Sequence, residues 1–190
     1  MELFKGFGTR LPRVLNVGGG SKSIPLPEMF ANYKHILLDI DPKGNPDVVG
    51  DARELGKLGK NLYEAIYFSH NLEHFYFHEV PLVLDGMFTV LKPKGFVYIR
   101  VPDVMEAVKR CIDAGTDFED GLYIASGMPI MALDVIYGWS YEIKKSGQSY
   151  YAHKTAFSEK SLRRKLETAG FVVEQFEAGN LEFQVVARKP

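Results

Sequence analysis

Four short stretches of this 190-residue sequence hold residue types that do chemistry together. The first is Asn16-Val17-Gly18-Gly19-Gly20-Ser21, a glycine cluster that ends the apolar run Val14–Val17. Glycines there let a ligand come close to the backbone, and a helix after the turn would offer free N–H groups to a carboxylate or phosphate. Taken alone, the cluster is equally an ordinary tight turn. The second stretch ends in Asp39, after the apolar run that starts at His35 and about twenty residues past the glycines, where a carboxylate accepts hydrogen bonds from ribose hydroxyls. Asp41 competes for that role but stands directly before Pro42, a turn position. The third is Gly50-Asp51-Ala52, where Asp51 either accepts from the exocyclic amine of an adenine or caps a helix. The fourth is Ser69-His70-Asn71-Leu72-Glu73-His74-Phe75. Its polar residues gather where a fourth strand ends, the edge at which open α/β sheets bind ligands. His74 is the better histidine for chemistry. His70 and His78 fit surface or capping roles as well, and Glu73 fits a capping or structural carboxylate.

Positioning these residues requires a parallel sheet. Strands are expected at Val14–Val17, His35–Ile40, Asp47–Val49, Tyr63–Phe68 and Gly95–Val101, alternating with helices that cover both faces. Val80, Val83, Leu84, Met87, Val90 and Leu91 recur at helical spacing, with Pro81 tolerable only in the first turn. Asp103 and Glu106 read as a capping box for another helix, with Val104, Val108, Cys111 and Ile112 on its buried face and Gly115 at its end. Ser158 reads as an N-cap, with Phe157 and Leu162 as a hydrophobic staple and Gly170 closing the helix. Phe171–Phe176 and Leu181–Ala187, joined through Ala178-Gly179-Asn180, form an antiparallel pair. Gly115 to Lys154 breaks the alternation. It is expected to be helical around Pro129–Tyr137 and to lie over one end of the sheet. The fold class is α/β, a mostly parallel, doubly wound sheet with a C-terminal antiparallel hairpin. It forms one domain over 1–190, with a variable insertion at about 115–154.

Bulk properties narrow the class. The sequence is 46% hydrophobic and 25% charged, with a formal net charge of −1. That balance suits a globular protein without a nucleic-acid or anionic-membrane footprint. Cys111 is the sole cysteine, so neither an internal disulfide nor a cysteine-rich metal centre can form. Met1 to Arg13 is short, mixed in charge and unlike a signal peptide, and no apolar run approaches a membrane span. The expected location is the cytoplasm.

Together and in this order, "VLNVGGG", "LLDIDP", "VVGDAREL", "IYFSHNLEHF", "VLKPKGFVYIRVPD" and "HKTAFSEKSLRRKLETAGF" resemble the class I S-adenosylmethionine-dependent methyltransferases over nearly the whole chain. The Glu-His-Phe and Val-Pro-Asp versions look most like small bacterial members of that class. The resemblance implies a Rossmann-like fold and S-adenosylmethionine as cofactor. It implies that Asn16, Gly18, Gly19 and Gly20 shape the cofactor loop, with Asn16 standing where an acid is usual. Asp39 would hold the ribose, Ile40 would pack on adenine, Asp51 and Ala52 would contact the adenine ring, and Ser69 and His70 would lie near the methionine portion. Lys94 stands where the family usually has glycine.

The implied chemistry is in-line attack by an acceptor on the activated methyl, which needs alignment above all. A hydroxyl acceptor would also benefit from a general base, for which His74, His153 and Asp103 are candidates. No His/Cys spacing suits zinc, and the family mostly needs no metal, so none is expected. The acceptor is expected to be a small molecule or a sugar, with Tyr123, Tyr137, Trp139, Tyr141, Tyr150 and Tyr151 as plausible lining. Two rivals remain. Tyr150 and Lys154 have the Tyr-x-x-x-Lys spacing of short-chain NAD dehydrogenases, but Ser23 breaks the glycine fingerprint. A methyltransferase fold that binds adenosyl ligands without turnover is the other.

Overall fold

The computed structural model describes residues 10–125 and 127–190. The part of the N-terminal reading that rests on residues 1–9 lies outside them. The first strands are β1 (Arg13–Val17), β2 (Lys34–Asp39), β3 (Val48–Val49) and β4 (Tyr63–Ser69). Then come helix α1 (Val80–Val90), strand β5 (Leu91–Pro102) and helix α2 (Val104–Ala114). A second hairpin, β6 (Gly121–Ala125) and β7 (Met128–Met131), leads into α3 (Ala132–Tyr137) and α4 (Ser140–Ser146). Helix α5 (Glu159–Thr168) and strands β8 (Val172–Gly179) and β9 (Glu182–Arg188) close the chain.

One seven-stranded sheet runs in the order β3-β2-β1-β4-β5-β9-β8. The first five of these pair in parallel and β9 pairs antiparallel to both neighbours. This is the Rossmann-like sheet with a reversed edge. The hairpin turns on Asn180 and Leu181, both with positive φ, the two-residue turn whose twist matches the strands. Among the described residues no helix is long and apolar enough to cross a membrane.

The main core lies on one face. Leu15, Val17, Ile66, Phe68, Val97, Ile99 and Val185 point from the strands toward Val83, Leu84 and Met87 of α1 and Leu162 and Leu166 of α5. Fully burying each aliphatic side chain there is worth about 1.5–3 kcal/mol. Pro81 sits in the first turn of α1, where a missing N–H costs nothing. Ser158 caps α5 and exchanges hydrogen bonds with Ser161.

Several expectations need correction. No helix follows the glycine turn: between Gly20 and β2 there is only a 3-10 turn, Glu28–Phe30. Pro25 and Pro27 remove donors and fix φ in that segment, which prevents a helix from running through it. Over that segment the opposite sheet face is covered by the short 3-10 turn and not by an α-helix. It carries a small aromatic cluster in which Phe30 and Tyr33 meet Tyr67, Phe96 and Tyr98. On α2 the buried face is Ala107 and Cys111, whereas Ile112 is exposed. Asp103 does cap that helix, accepting from the Glu106 N–H, but Glu106 turns to Arg110 rather than back to the cap. Helix begins only at Ala132, because Met128–Met131 pairs with Gly121–Ala125. Pro129 is tolerated there because a two-stranded hairpin leaves one edge of each strand free. This insertion packs Ile130, Val135 and Trp139 against Ala107 and Leu181, at the sheet end reached by β5 and the β8–β9 turn.

Candidate active site

The carboxyl ends of β1, β2 and β4 and the loop after β3 meet at one sheet edge. Backbone bonds lock these ends together: Gly18 N–H donates to Leu38 O, Gly50 N–H to Asp39 O and His70 N–H to Arg100 O. Gly18 has φ +69, and a Cβ there would fall 1.5 Å from Asn71 Nδ2, so glycine is required on two counts. Asp39 is 7% exposed. One of its carboxylate oxygens accepts from Gly20 N–H at 2.8 Å and the other from Asp41 N–H at 2.9 Å. It thus ties the glycine turn to the second strand and keeps a lone pair on each oxygen for a ligand.

A cavity of about 260 Å³ opens over this turn, lined among others by Gly18, Gly20, Asp39, Ile40, Asp51 and Ala52. Asp51 takes the capping role that the sequence offered and stands at the cavity wall. It caps the 3-10 helix Ala52–Leu58 by accepting from Arg53 N–H. The hydrogen-bonded Arg53 guanidinium holds its carboxyl below the usual range. His70 lines the cavity as well. Asn16, Gly19 and Ser69 are not among the lining residues. Asn16 is buried, and its amide donates to His35 Nε2 at 3.2 Å, bracing the turn from beneath. A Cβ on Gly19 would strike that amide.

A second cavity of about 720 Å³ adjoins the first, and the two share His70, His74 and Tyr151. Its walls include Arg110, Tyr123, Trp139, His153 and Leu181. Of the aromatics named from the sequence, Tyr150 borders the first cavity, Tyr151 both, and Tyr123 and Trp139 the second, while Tyr137 and Tyr141 border neither. Asp103 borders neither and remains a helix cap. His153 is not a surface loop residue: only 11% of its side chain is exposed.

Three non-glycine residues with positive φ, His70, Asn180 and Leu181, border the second cavity. His70 bonds Glu182 at 2.9 Å, and Glu182 also takes a two-pronged contact from Arg100. Loss of water around His70 disfavours its charge, but Glu182 and Glu73 outweigh that and carry it up to about 9. Burial raises the Glu182 carboxyl, and His70 and Arg100 more than reverse this, to about 2.

Glu73 is fully buried, and among the described residues neither of its oxygens has a hydrogen-bond partner. His74 Nδ1 donates to Ala152 O at 3.1 Å, and His153 Nδ1 donates to Val135 O at 3.0 Å. The rings of the two histidines meet edge-on at 5.0 Å.

Sequence reasoning missed Asn71 and Lys154 on the first cavity, and it placed Tyr150 with the acceptor lining and not there. Asn71 sits inside a motif already singled out. Tyr150 arrives from the insertion, where no periodicity marks it. Its hydroxyl donates to Asp41 at 3.3 Å, and burial with the neighbouring Tyr151 and Asp41 pushes it up to about 12.

A family model described as a methyltransferase domain matches residues 3–175. No curated protein matches the sequence. Among solved structures, a Pyrococcus horikoshii protein is 15% identical, with 97% of this chain and 84% of that one covered and a TM-score of 0.64. A SAM-dependent methyltransferase of Methanosarcina mazei is 18% identical, with 100% and 99% covered and a TM-score of 0.61. The 1,6-didemethyltoxoflavin-N1-methyltransferase of Burkholderia thailandensis, solved with 1,6-didemethyltoxoflavin and S-adenosylhomocysteine, is 17% identical, with 95% and 72% covered and a TM-score of 0.55. At these identities the structural likeness is one of fold.

Proposed function

The chain belongs to the methyltransferase-domain family, and we propose that it is an enzyme that uses S-adenosylmethionine. From that premise we propose that the cavity over the glycine turn holds the cofactor and that the adjoining cavity receives a small-molecule or sugar acceptor. One observation carries this reading: the two cavities meet at His70, His74 and Tyr151, beside the glycine turn. Such a junction is where a donor and an acceptor can be brought into line.

The lining fits an adenosyl ligand. Gly18 and Gly20 keep side chains out of the cleft, Asp39 presents free lone pairs suited to a ribose diol, and Ile40 and Ala52 supply apolar surface for a base. When bound, the cofactor supplies a sulfonium-activated methyl group. The residues of this chain hold the two partners in register, which is the larger share of the catalytic task. We assign deprotonation of a hydroxyl acceptor to the cluster of Glu73, His74 and His153, since Asp103 lies away from both cavities. Asn16, Gly19 and Ser69 act as supports for the turn and the strand end. We also place the enzyme in the cytoplasm, with no nucleic-acid or membrane partner, a reading supported by its near-neutral charge.

The test is an acceptor screen with S-adenosylmethionine, reading S-adenosylhomocysteine release and product mass. Saccharides and small hydroxyl or amine compounds are expected to be methylated. Turnover only on nucleic acid or protein would overturn the acceptor reading.

A further inference from the structure

Glu73, His74 and His153 come from two places in the chain and meet because the backbone binds those places together. Glu73 and His74 stand on the 3-10 turn Leu72–His74 after β4, and His153 follows another 3-10 turn at Ser149–Tyr151. The Glu73 carbonyl accepts from Lys154 N–H at 2.7 Å and Thr155 N–H at 3.2 Å, and His153 N–H donates to Tyr137 O at 2.9 Å. One ligand-type atom from each of the three side chains lies within 4.8 Å of the other two.

The hydrogen bonding around the cluster leaves something unpaired. A carbonyl oxygen only accepts, so both Nδ1 atoms carry the proton, and the free lone pair of each neutral ring is on Nε2. His153 Nε2 lies 3.9 Å from Glu73 Oε1, too far for a hydrogen bond. On the other flank His70 Nδ1 stands 3.7 Å from the same oxygen, while its Nε2 is committed to Glu182. A carboxyl group buried in this way has no hydrogen-bond partner and only the more distant His70 ring as a counter-charge, an unfavourable state for a buried polar group. Acceptors grouped around a buried point call for a cation.

We propose that Glu73, His74 and His153 form a binding site for one divalent first-row transition-metal ion, open on the acceptor side. Two imidazole nitrogens and one carboxylate oxygen suit zinc, manganese, cobalt or ferrous iron, whereas calcium and magnesium prefer all-oxygen shells. The bonds from each Nδ1 to a backbone carbonyl are the outer-shell restraints that fix ring orientation in histidine–metal sites. Ligand atoms around zinc stand about 3.4 Å apart, so the cluster needs contraction and not a new fold. Three protein ligands leave a position for an exogenous oxygen, and His74 and His153 both line the larger cavity. Resting on the acceptor reading above, the ion would bind the acceptor hydroxyl and lower its pKa, so that the proton passes to solvent water in the open cavity and the alkoxide attacks, in place of a free histidine base.

The test uses the untagged full chain, stripped with a chelator and titrated with zinc by calorimetry and with cobalt by visible absorption. One zinc per chain with a micromolar or tighter Kd is expected, with a cobalt spectrum of low coordination number. His153→Ala and His74→Gln are each expected to weaken zinc by at least about 100-fold, more than loss of an outer-shell partner costs. Circular dichroism verifies that both variants fold. His78→Ala, at an exposed histidine stacked on Tyr76, is expected to keep the wild-type affinity. No saturable zinc binding, or binding equally strong in both folded variants, would overturn the proposal and leave Glu73 as the counter-charge of His70. Binding of S-adenosylhomocysteine to the wild type is measured separately, so failure of the cofactor reading leaves the metal result standing.

Discussion

The cavity proposed for the cofactor and the one proposed for the acceptor share a wall but are assembled differently. Gly18, Gly20, Asp39 and Asp51 reach the first from successive strand ends of one sheet, which hydrogen bonds such as Gly18 N–H to Leu38 O and Gly20 N–H to the Asp39 carboxylate tie together. The second is built where the β5 end and the β8–β9 turn meet an insertion, across a small separate core of Ala107, Ile130, Val135 and Leu181. A parallel sheet forces its strand ends to one edge, so a cofactor site made there is specified by the fold itself. A site made by an insertion is specified only by side-chain packing between distant segments. The first kind is rigid and general, and the second is free to vary with the acceptor.

Substitutions on the two sides should separate along that line. The largest effect is expected from Gly18→Val. A side chain at φ +69 that collides with Asn71 should abolish S-adenosylhomocysteine binding in calorimetry, a loss of roughly 100-fold or more. Retained binding would show that the turn is not the cradle. Asp39→Ala follows. It removes the buried acceptor of two N–H groups and of the proposed ribose contact, and affinity should fall by roughly tenfold or more. Unchanged affinity would move the ribose role to Asp41.

Trp139→Ala tests the other side. KM for the acceptor should rise several-fold, on the order of one lost aromatic contact, while cofactor Kd stays within about twofold. Equal losses for both ligands would mean that the two cavities are not separable. The smallest expected effect concerns Glu182, which lines the second cavity and holds His70 on the shared wall. The Glu182 carboxyl lies at about 2 against an ordinary 4.5, so the stability it contributes is present above pH 4.5 and is lost as pH falls toward 2. Glu182→Gln should therefore lower Tm at pH 7, and the gap to wild type should close on acidification. A gap independent of pH would assign the loss to packing.

The same contrast explains what could be read in advance. The strand ends, the Pro81 start of α1, the Ser158 cap and the gathering of Gly18, Gly20, Asp39 and Asp51 at one sheet edge follow local patterns, so spacing revealed them. The missing helix after Gly20 was legible in Pro25 and Pro27, but the glycine turn suggested the more common helix. The strand at Met128–Met131 was hidden because its hairpin depends on cross-strand pairing and not on periodicity. Glu73 and His153 are 80 positions apart in the numbering. Their meeting depends on backbone bonds between two irregular segments, which no spacing rule encodes. Asn16 is readable as a motif position, yet its contact with His35 needs the parallel pairing of β1 with β2.

The central claim is that the glycine turn and Asp39 build an adenosyl site. Calorimetry of the wild-type chain with S-adenosylmethionine, S-adenosylhomocysteine and NAD tests it most directly. Saturable binding of both adenosyl ligands, with one site per chain and no response to NAD, is the expected result. Saturable NAD binding with no response to either adenosyl ligand would contradict the account.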